Sequence, residues 1–209
     1  MDSNIVITIS REYGSGGLHI GQKLADALQI PFYTRDDIEQ KSKQEPILNE
    51  ANCDWLKANR LRASNLTGAA FAVGGYGDIT SQLFLKEANV VWKLAQSPCV
   101  LVGRCADFVL KNRPHTYRLF LSSGMPDRLR QIRENPKLYD TAVKREAKDI
   151  LQMDKKRASY YQYYTGQIWG KASNYDLCVD TGKLGPQTVD LILEFVRRAE
   201  AICEPLPQD

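Results

Sequence analysis

The chain has 209 residues with nearly balanced charge, 28 Lys and Arg against 25 Asp and Glu for a formal net charge of +3. That balance excludes the basic excess of a general nucleic-acid binder. Apolar residues make up 43% of the chain, enough to fill the core of one ordinary domain. No apolar run approaches the ~20 residues of a membrane span, and Met1-Asp2-Ser3-Asn4 lacks the basic-then-apolar start of a signal peptide. A soluble, cytoplasmic protein is expected, with no membrane or nucleic-acid partner. The five cysteines (Cys53, Cys99, Cys105, Cys178, Cys203) are scattered, odd in number and without paired metal-ligand spacing. Reduced, mostly buried thiols are therefore expected.

Ile5-Val6-Ile7-Thr8-Ile9 is β-branched throughout, the composition of a buried parallel strand. Ser10 to Gly21 follows as a glycine-rich turn, and Ile20, Leu24 and Leu28 then recur at helical spacing. Glycines between a first strand and a first helix let backbone N–H groups approach phosphate oxygens, and the helix N-terminus adds partial positive charge. The usual phosphate loop ends in Gly-Lys followed by Ser or Thr. Here neither the lysine nor the hydroxyl is present.

Ile30–Tyr33 reads as a short second strand. Arg35 to Ser97 has no obvious strand; it holds a glycine cluster at Gly68, Gly74, Gly75 and Gly77, and helical periodicity from Ser81 through Leu94. Cys99–Gly103, Tyr117–Leu121 and Tyr175–Asp180 read as third, fourth and fifth strands. A charged stretch runs from Arg128 to Arg157, and a last amphipathic helix begins at Pro186, with Val189, Ile192, Leu193 and Val196 on one face. Strands separated by helical stretches predict a parallel sheet with helices on both faces. Ligands bind such sheets at the carboxyl ends of the strands, where the glycine loop and Gly103-Arg104-Cys105-Ala106-Asp107 both fall.

Several motifs occur in order along nearly the whole chain: Ile7-Thr8-Ile9-Ser10-Arg11-Glu12-Tyr13-Gly14-Ser15-Gly16-Gly17, Val102 to Asp107, Asp154-Lys155-Lys156-Arg157-Ala158, Tyr160-Tyr161, Tyr163-Tyr164-Thr165-Gly166, Trp169-Gly170 and Asn174 to Leu177. In these the chain resembles the cytidylate kinase-like family of P-loop proteins, relatives of the nucleoside monophosphate kinases. The resemblance implies one domain over 1–209, built on a five-stranded parallel sheet with the first strand central. It implies a helical insertion, about 35–97, over the acceptor and a lid, about 127–157, over the donor. The implied reaction moves the γ-phosphoryl group of ATP, with Mg2+, to a nucleoside monophosphate, CMP or dCMP in the first place. A kinase for another small metabolite and a non-catalytic nucleotide or phosphometabolite binder are the alternatives. The metal ligands and the oligomeric state are left open.

On this resemblance Gly14, Ser15, Gly16, Gly17 and Leu18 form the phosphate cradle, with Gly17 where the loop lysine would stand. Arg11 either supplies the missing positive charge or is a structural arginine paired to a carboxylate such as Glu12. Arg104 matches the arginine that meets the monophosphate nucleotide; the alternative is an ion pair with Asp107, which is otherwise an acceptor-side residue. Asp154 and Arg157, three apart on one helix face, match a lid-associated pair at the acceptor, and Arg128 matches a donor contact at the start of the lid. Arg35, after the second strand, is a further acceptor candidate, and Arg130, Arg133, Lys144, Arg145 and Lys148 are candidates to line the flap. For the tyrosines after Asp154 packing is the ordinary reading, with base stacking as the alternative.

Overall fold

The computed structural model describes residues 4–61, 79–139 and 146–203. Gly68, Gly74, Gly75, Gly77, Lys144, Arg145 and the side chain of Cys203 lie outside the described residues. The strands are β1 (Val6–Arg11), β2 (Phe32–Tyr33), β3 (Cys99–Val102), β4 (Thr116–Ser122) and β5 (Leu177–Asp180). They form one sheet in the order β2-β3-β1-β4-β5, and every pairing is parallel. The first strand is central, as expected. It runs two residues further than its β-branched core, so Arg11 is the last strand residue rather than part of the turn.

The pleat divides the core in two. Ile7 and Ile9 of β1 and Val100 and Val102 of β3 face one side, against α1 (Gly17–Leu28) and the C-terminal helix Thr188–Cys203. Val6, Cys99 and Leu101 face the other, where Trp55, Phe84, Leu85, Val91 and Tyr164 fill the second core. Helices cover both faces, which explains why β1 and β3 read as continuous apolar runs rather than alternating ones. The second core is built by α2 (Arg35–Ser42), α3 (Asp54–Ala58), α4 (Ile79–Leu94), α5 (Ala106–Val109) and the long α7 (Ala147–Thr165). Between β4 and α7 lies α6 (Met125–Glu134). Cys53, Cys99 and Cys105 are buried free thiols, whereas Cys178 is exposed, contrary to the reading of the cysteines as mostly buried for that residue. No helix among the described residues is long and apolar enough to cross a membrane.

Two local features place the functional side chains. Thr34 caps α2: its hydroxyl accepts from Asp37 N–H, and the Asp37 carboxylate accepts from Thr34 N–H at 2.8 Å, a reciprocal capping box. This fixes Arg35 at the first helical position. After β3, Gly103, Arg104 and Cys105 all have positive φ, 91°, 57° and 55°. Two consecutive non-glycine residues in that region cost on the order of 1 kcal/mol each.

Candidate functional site

The glycine loop leaves β1 at Arg11 and enters α1 at Gly17, with Gly14 and Gly16 at φ 87° and 78°. Its carbonyl oxygens are tied down by side chains. Ser15 Oγ donates to Glu12 O at 2.9 Å, Arg128 Nε to Tyr13 O at 2.6 Å, and Thr181 Oγ1 to Ser15 O at 2.9 Å. Holding the carbonyls outward leaves the N–H groups at the start of α1 to face an anion.

Two cavities flank this loop. The inner one, about 310 Å³, lies at the carboxyl ends of β1 and β3 and is lined by Ser10, Arg11, Arg35, Gly103, Arg104, Cys105, Met153, Lys156, Arg157, Tyr160, Tyr161 and Trp169. The outer one, about 260 Å³, lies beyond Ser15 and Gly16, between His19 and Lys23 of α1, Asp127 and Arg130 of α6, and Thr181, Gly182 and Pro186. The inner cavity thus brings together four arginines read from the sequence, Arg11, Arg35, Arg104 and Arg157. No described residue lining it is a carboxylate.

Arg11 passes between two glycines. A Cβ on Gly17 would stand 2.8 Å from Arg11 Cγ and 3.0 Å from Arg11 Cβ; a Cβ on Gly103 would stand 2.5 Å from Arg11 Nη1. Burial, then Arg157 and Arg35, push the Arg11 guanidinium well below the ordinary arginine value, and Asp36 only partly offsets them. The expected alternative partner, Glu12, instead accepts from Ser123 N–H at 3.0 Å and lies 3.7 Å from Arg128. Arg157 donates to Arg11 O at 2.9 Å, lies over the Tyr13 ring at 5.2 Å and stands 3.8 Å from Asp154. Burial lowers its affinity for the proton, with Asp154 opposing.

Arg104 has carboxylate partners, though not the expected one. Its Nη2 lies 2.6 Å from Glu39 and its Nη1 2.9 Å from Glu87, and Tyr160 Oη donates to Glu87 at 2.8 Å. Burial works against its charge, but Glu87, Tyr160 and Glu39 outweigh it and hold the guanidinium above its ordinary value. The Arg104–Asp107 pair does not form. The positive φ at 103–105 places Arg104 before α5, so the helical i, i+3 geometry does not apply. Asp107 is buried and accepts from Ser10 Oγ at 3.2 Å and Tyr161 Oη at 2.6 Å. Burial raises its carboxyl above the ordinary value despite these two bonds.

Asp107, Asp154 and Arg128 stand behind the cavity walls and line neither cavity. Arg128 is buried and ion-paired to Asp154, whose other oxygen accepts from Tyr13 N–H at 2.7 Å. The pair therefore clamps the Tyr13 backbone from both sides. Of the flap candidates, Arg130 lines the outer cavity. The sequence reading gave no site role to Glu39, Glu87, Ser10 and Met153, while Lys156 stood in it only beside Arg157 and Trp169 only with the tyrosines. It also treated the tyrosines as one group, whereas Tyr160 and Tyr161 line the inner cavity and Tyr164 stacks on Phe84 in the core. Helical spacing carries the missing signal, because Met153, Arg157, Tyr160 and Tyr161 share one face of α7.

Position 18 is leucine where a metal-binding hydroxyl would stand, and no group of three His, Cys, Asp or Glu among the described residues is arranged to hold a metal ion.

Residues 6–183 match the family model described as the cytidylate kinase-like family. A crystal structure of an uncharacterized protein from Eubacterium ventriosum is 24% identical, with TM-score 0.71 over 94% of this chain and 99% of that chain. A shikimate kinase from Acinetobacter baumannii, solved in complex with shikimate, is 13% identical, with TM-score 0.54 over 95% of this chain and 96% of that one. At these identities the two solved structures establish the shared fold. No curated protein sequence matches the chain. The parallel sheet with β1 at its centre and the match over residues 6–183 together place the chain in the cytidylate kinase-like family of P-loop proteins.

Proposed function

We propose that this protein transfers a phosphoryl group from a nucleoside triphosphate to a phosphomonoester acceptor held in the inner cavity, a nucleoside monophosphate such as CMP or dCMP. One observation carries the reading: Arg11, Arg35, Lys156 and Arg157 face a cavity whose described lining includes no carboxylate. Transfer to an alcohol calls for a base positioned to take its proton. A phosphate oxygen is already an anionic nucleophile and calls instead for cations that hold it and offset charge at the reacting group. Glu39 and Glu87 are engaged by Arg104, Asp107 lies behind Ser10 and Tyr161, and Asp36, which acts on Arg11, does not line the cavity.

In this reading Arg35, Lys156 and Arg157 hold the acceptor phosphate. Met153, Tyr160 and Trp169 give the nucleoside flat apolar walls, and the Arg104–Glu87–Glu39 group offers a base edge both donors and acceptors. The triphosphate lies on the N–H groups of Gly14 to Leu18, with its nucleoside toward the outer cavity. A divalent cation would arrive on the nucleotide's own phosphate oxygens. The missing loop lysine supports the second reading, a binder without turnover.

Calorimetry separates a phosphate site from a merely polar cleft. CMP is expected to bind, cytidine to bind at least tenfold more weakly, and Arg35→Ala or Arg157→Ala to weaken CMP by about 1.5–3 kcal/mol, the range of a hydrogen bond to a charged group. Equal affinity for CMP and cytidine would contradict the proposal.

A further inference from the structure

We infer that Arg11 is the cation that meets the transferred phosphoryl group, doing from the end of β1 what a lysine at position 17 would do from the loop. This rests on the phosphoryl-transfer reading above. A side chain at position 17 would begin 2.8 Å from Arg11 Cγ, so the stem of Arg11 already fills the space that a loop lysine needs. Beyond Gly17 the side chain runs on to Gly103, where Nη1 lies 2.5 Å from the place a Cβ would take. Gly17 and Gly103 together form the slot through which Arg11 reaches the inner cavity.

Arginines elsewhere in the fold have partners within the protein: Arg128 pairs with Asp154, Arg118 with Asp176, and Arg113 donates to Asn4 O and Pro114 O. Arg11 makes no ion pair with a carboxylate of the described residues, and burial, Arg157 and Arg35 together disfavour its charge more than Asp36 supports it. Such a site gains most when the counter-charge arrives with the ligand, because an anion bound there meets a cation that water does not screen. In the transfer, an acceptor phosphate oxygen forms a bond to the terminal phosphorus as that phosphorus parts from the bridging oxygen, which leaves on the nucleoside diphosphate. Arg11 exchanges no proton; it offsets charge on the oxygens of the group in flight.

The test is a double-mutant cycle with Arg11→Ala, Gly17→Ala and the double variant. Gly17 is the first residue of α1 and is not among the positive-φ glycines, so alanine there is tolerated by the backbone and acts by displacing the Arg11 stem. Arg11→Ala is expected to lower kcat about 10²–10³-fold, the effect of removing one donor from a developing oxyanion, while CMP affinity changes less than threefold. Gly17→Ala is expected to lower kcat about tenfold alone and by clearly less in the Arg11→Ala background, where the 2.8 Å contact with Cγ is gone and the 3.0 Å contact with Cβ is left. A kcat of Arg11→Ala within threefold of wild type, or an equal Gly17→Ala effect in both backgrounds, overturns the assignment.

Wild type that transfers phosphoryl to no acceptor would overturn the function proposed above, and the same proteins then test Arg11 by binding alone. Inorganic tripolyphosphate is expected to bind at least tenfold more weakly to Arg11→Ala, with a smaller further loss in the double variant than Gly17→Ala causes alone. Unchanged tripolyphosphate affinity would remove Arg11 from the phosphate site. Thermal melting of Arg11→Met, which keeps a stem between Gly17 and Gly103 and removes the charge, serves as the control: Tm is expected to stay unchanged or rise, and a lower Tm would contradict an arginine without a carboxylate partner.

Discussion

Arg11 and Arg128 both touch the glycine loop, one from each side, and their surroundings are opposite. Arg128 is buried, paired with Asp154 and donating to Tyr13 O, and together with Asp154 it locks both the N–H and the carbonyl of Tyr13. Arg11 lies in a slot between Gly17 and Gly103, with Arg157, Arg35 and Arg104 around it and Asp36 only partly opposing them. A basic residue beside a phosphate loop is therefore not by itself a phosphate ligand. Its counter-charge decides: where the protein provides one, the arginine holds the loop, and where the protein provides more cations, the arginine awaits an anion.

The sharpest way to break this contrast is to remove Arg128. Truncating one member of a buried ion pair leaves the other charge uncompensated and costs about 3–5 kcal/mol. Arg128→Ala is expected to lose stability on that scale in chemical denaturation, whereas Arg11→Met, which keeps a stem and removes the charge, is expected to lose far less. Similar stability losses in the two variants would erase the distinction.

A smaller effect tests the wall behind the cavity. Asp107→Ala leaves Ser10 Oγ and Tyr161 Oη without their shared acceptor, at about 1–3 kcal/mol. Asp107→Asn keeps an acceptor for Tyr161 and is expected to cost less. The pH dependence separates the two explanations of that difference. Burial raises the folded carboxyl above its ordinary value, so between the unfolded and folded values the folded state binds the extra proton. Stability from this group is then greatest below the unfolded value, falls as pH rises through the window and is flat above it. Denaturation of wild type and Asp107→Asn over acidic pH should show this share of the slope in wild type alone. Parallel profiles would show that Asp107 does not titrate differently in the fold.

Much of the fold was legible because the periodic signals are local. β1, β3 and β4 fall within two residues of their apolar runs, and the dual-faced apolar character of β1 and β3 marks a sheet covered on both sides. β2 and β5 are each two residues shorter at the start than their runs. The candidate site was legible as a set of arginines but not as a set of partners. An Arg three residues before an Asp suggests a pair only on a helix, and the turn through Gly103, Arg104 and Cys105 sends Arg104 to Glu39 and Glu87, which are 65 and 17 residues away in sequence. Thr34, next to the acceptor candidate Arg35, is a helix cap. The clamp of Arg128 and Asp154 on Tyr13 joins segments 115 and 141 residues apart, a separation at which spacing along the chain carries no signal.

The central claim is that the inner cavity accepts a phosphomonoester for phosphoryl transfer. It is tested most directly by following ADP release from ATP and Mg2+ with a panel of nucleoside monophosphates, each paired with its own unphosphorylated nucleoside. The account predicts ADP release that depends on the monophosphate, is fastest with CMP or dCMP, and is absent with every nucleoside. ATP binding without ADP release for any monophosphate, or release with a nucleoside equal to that with its monophosphate, would contradict it.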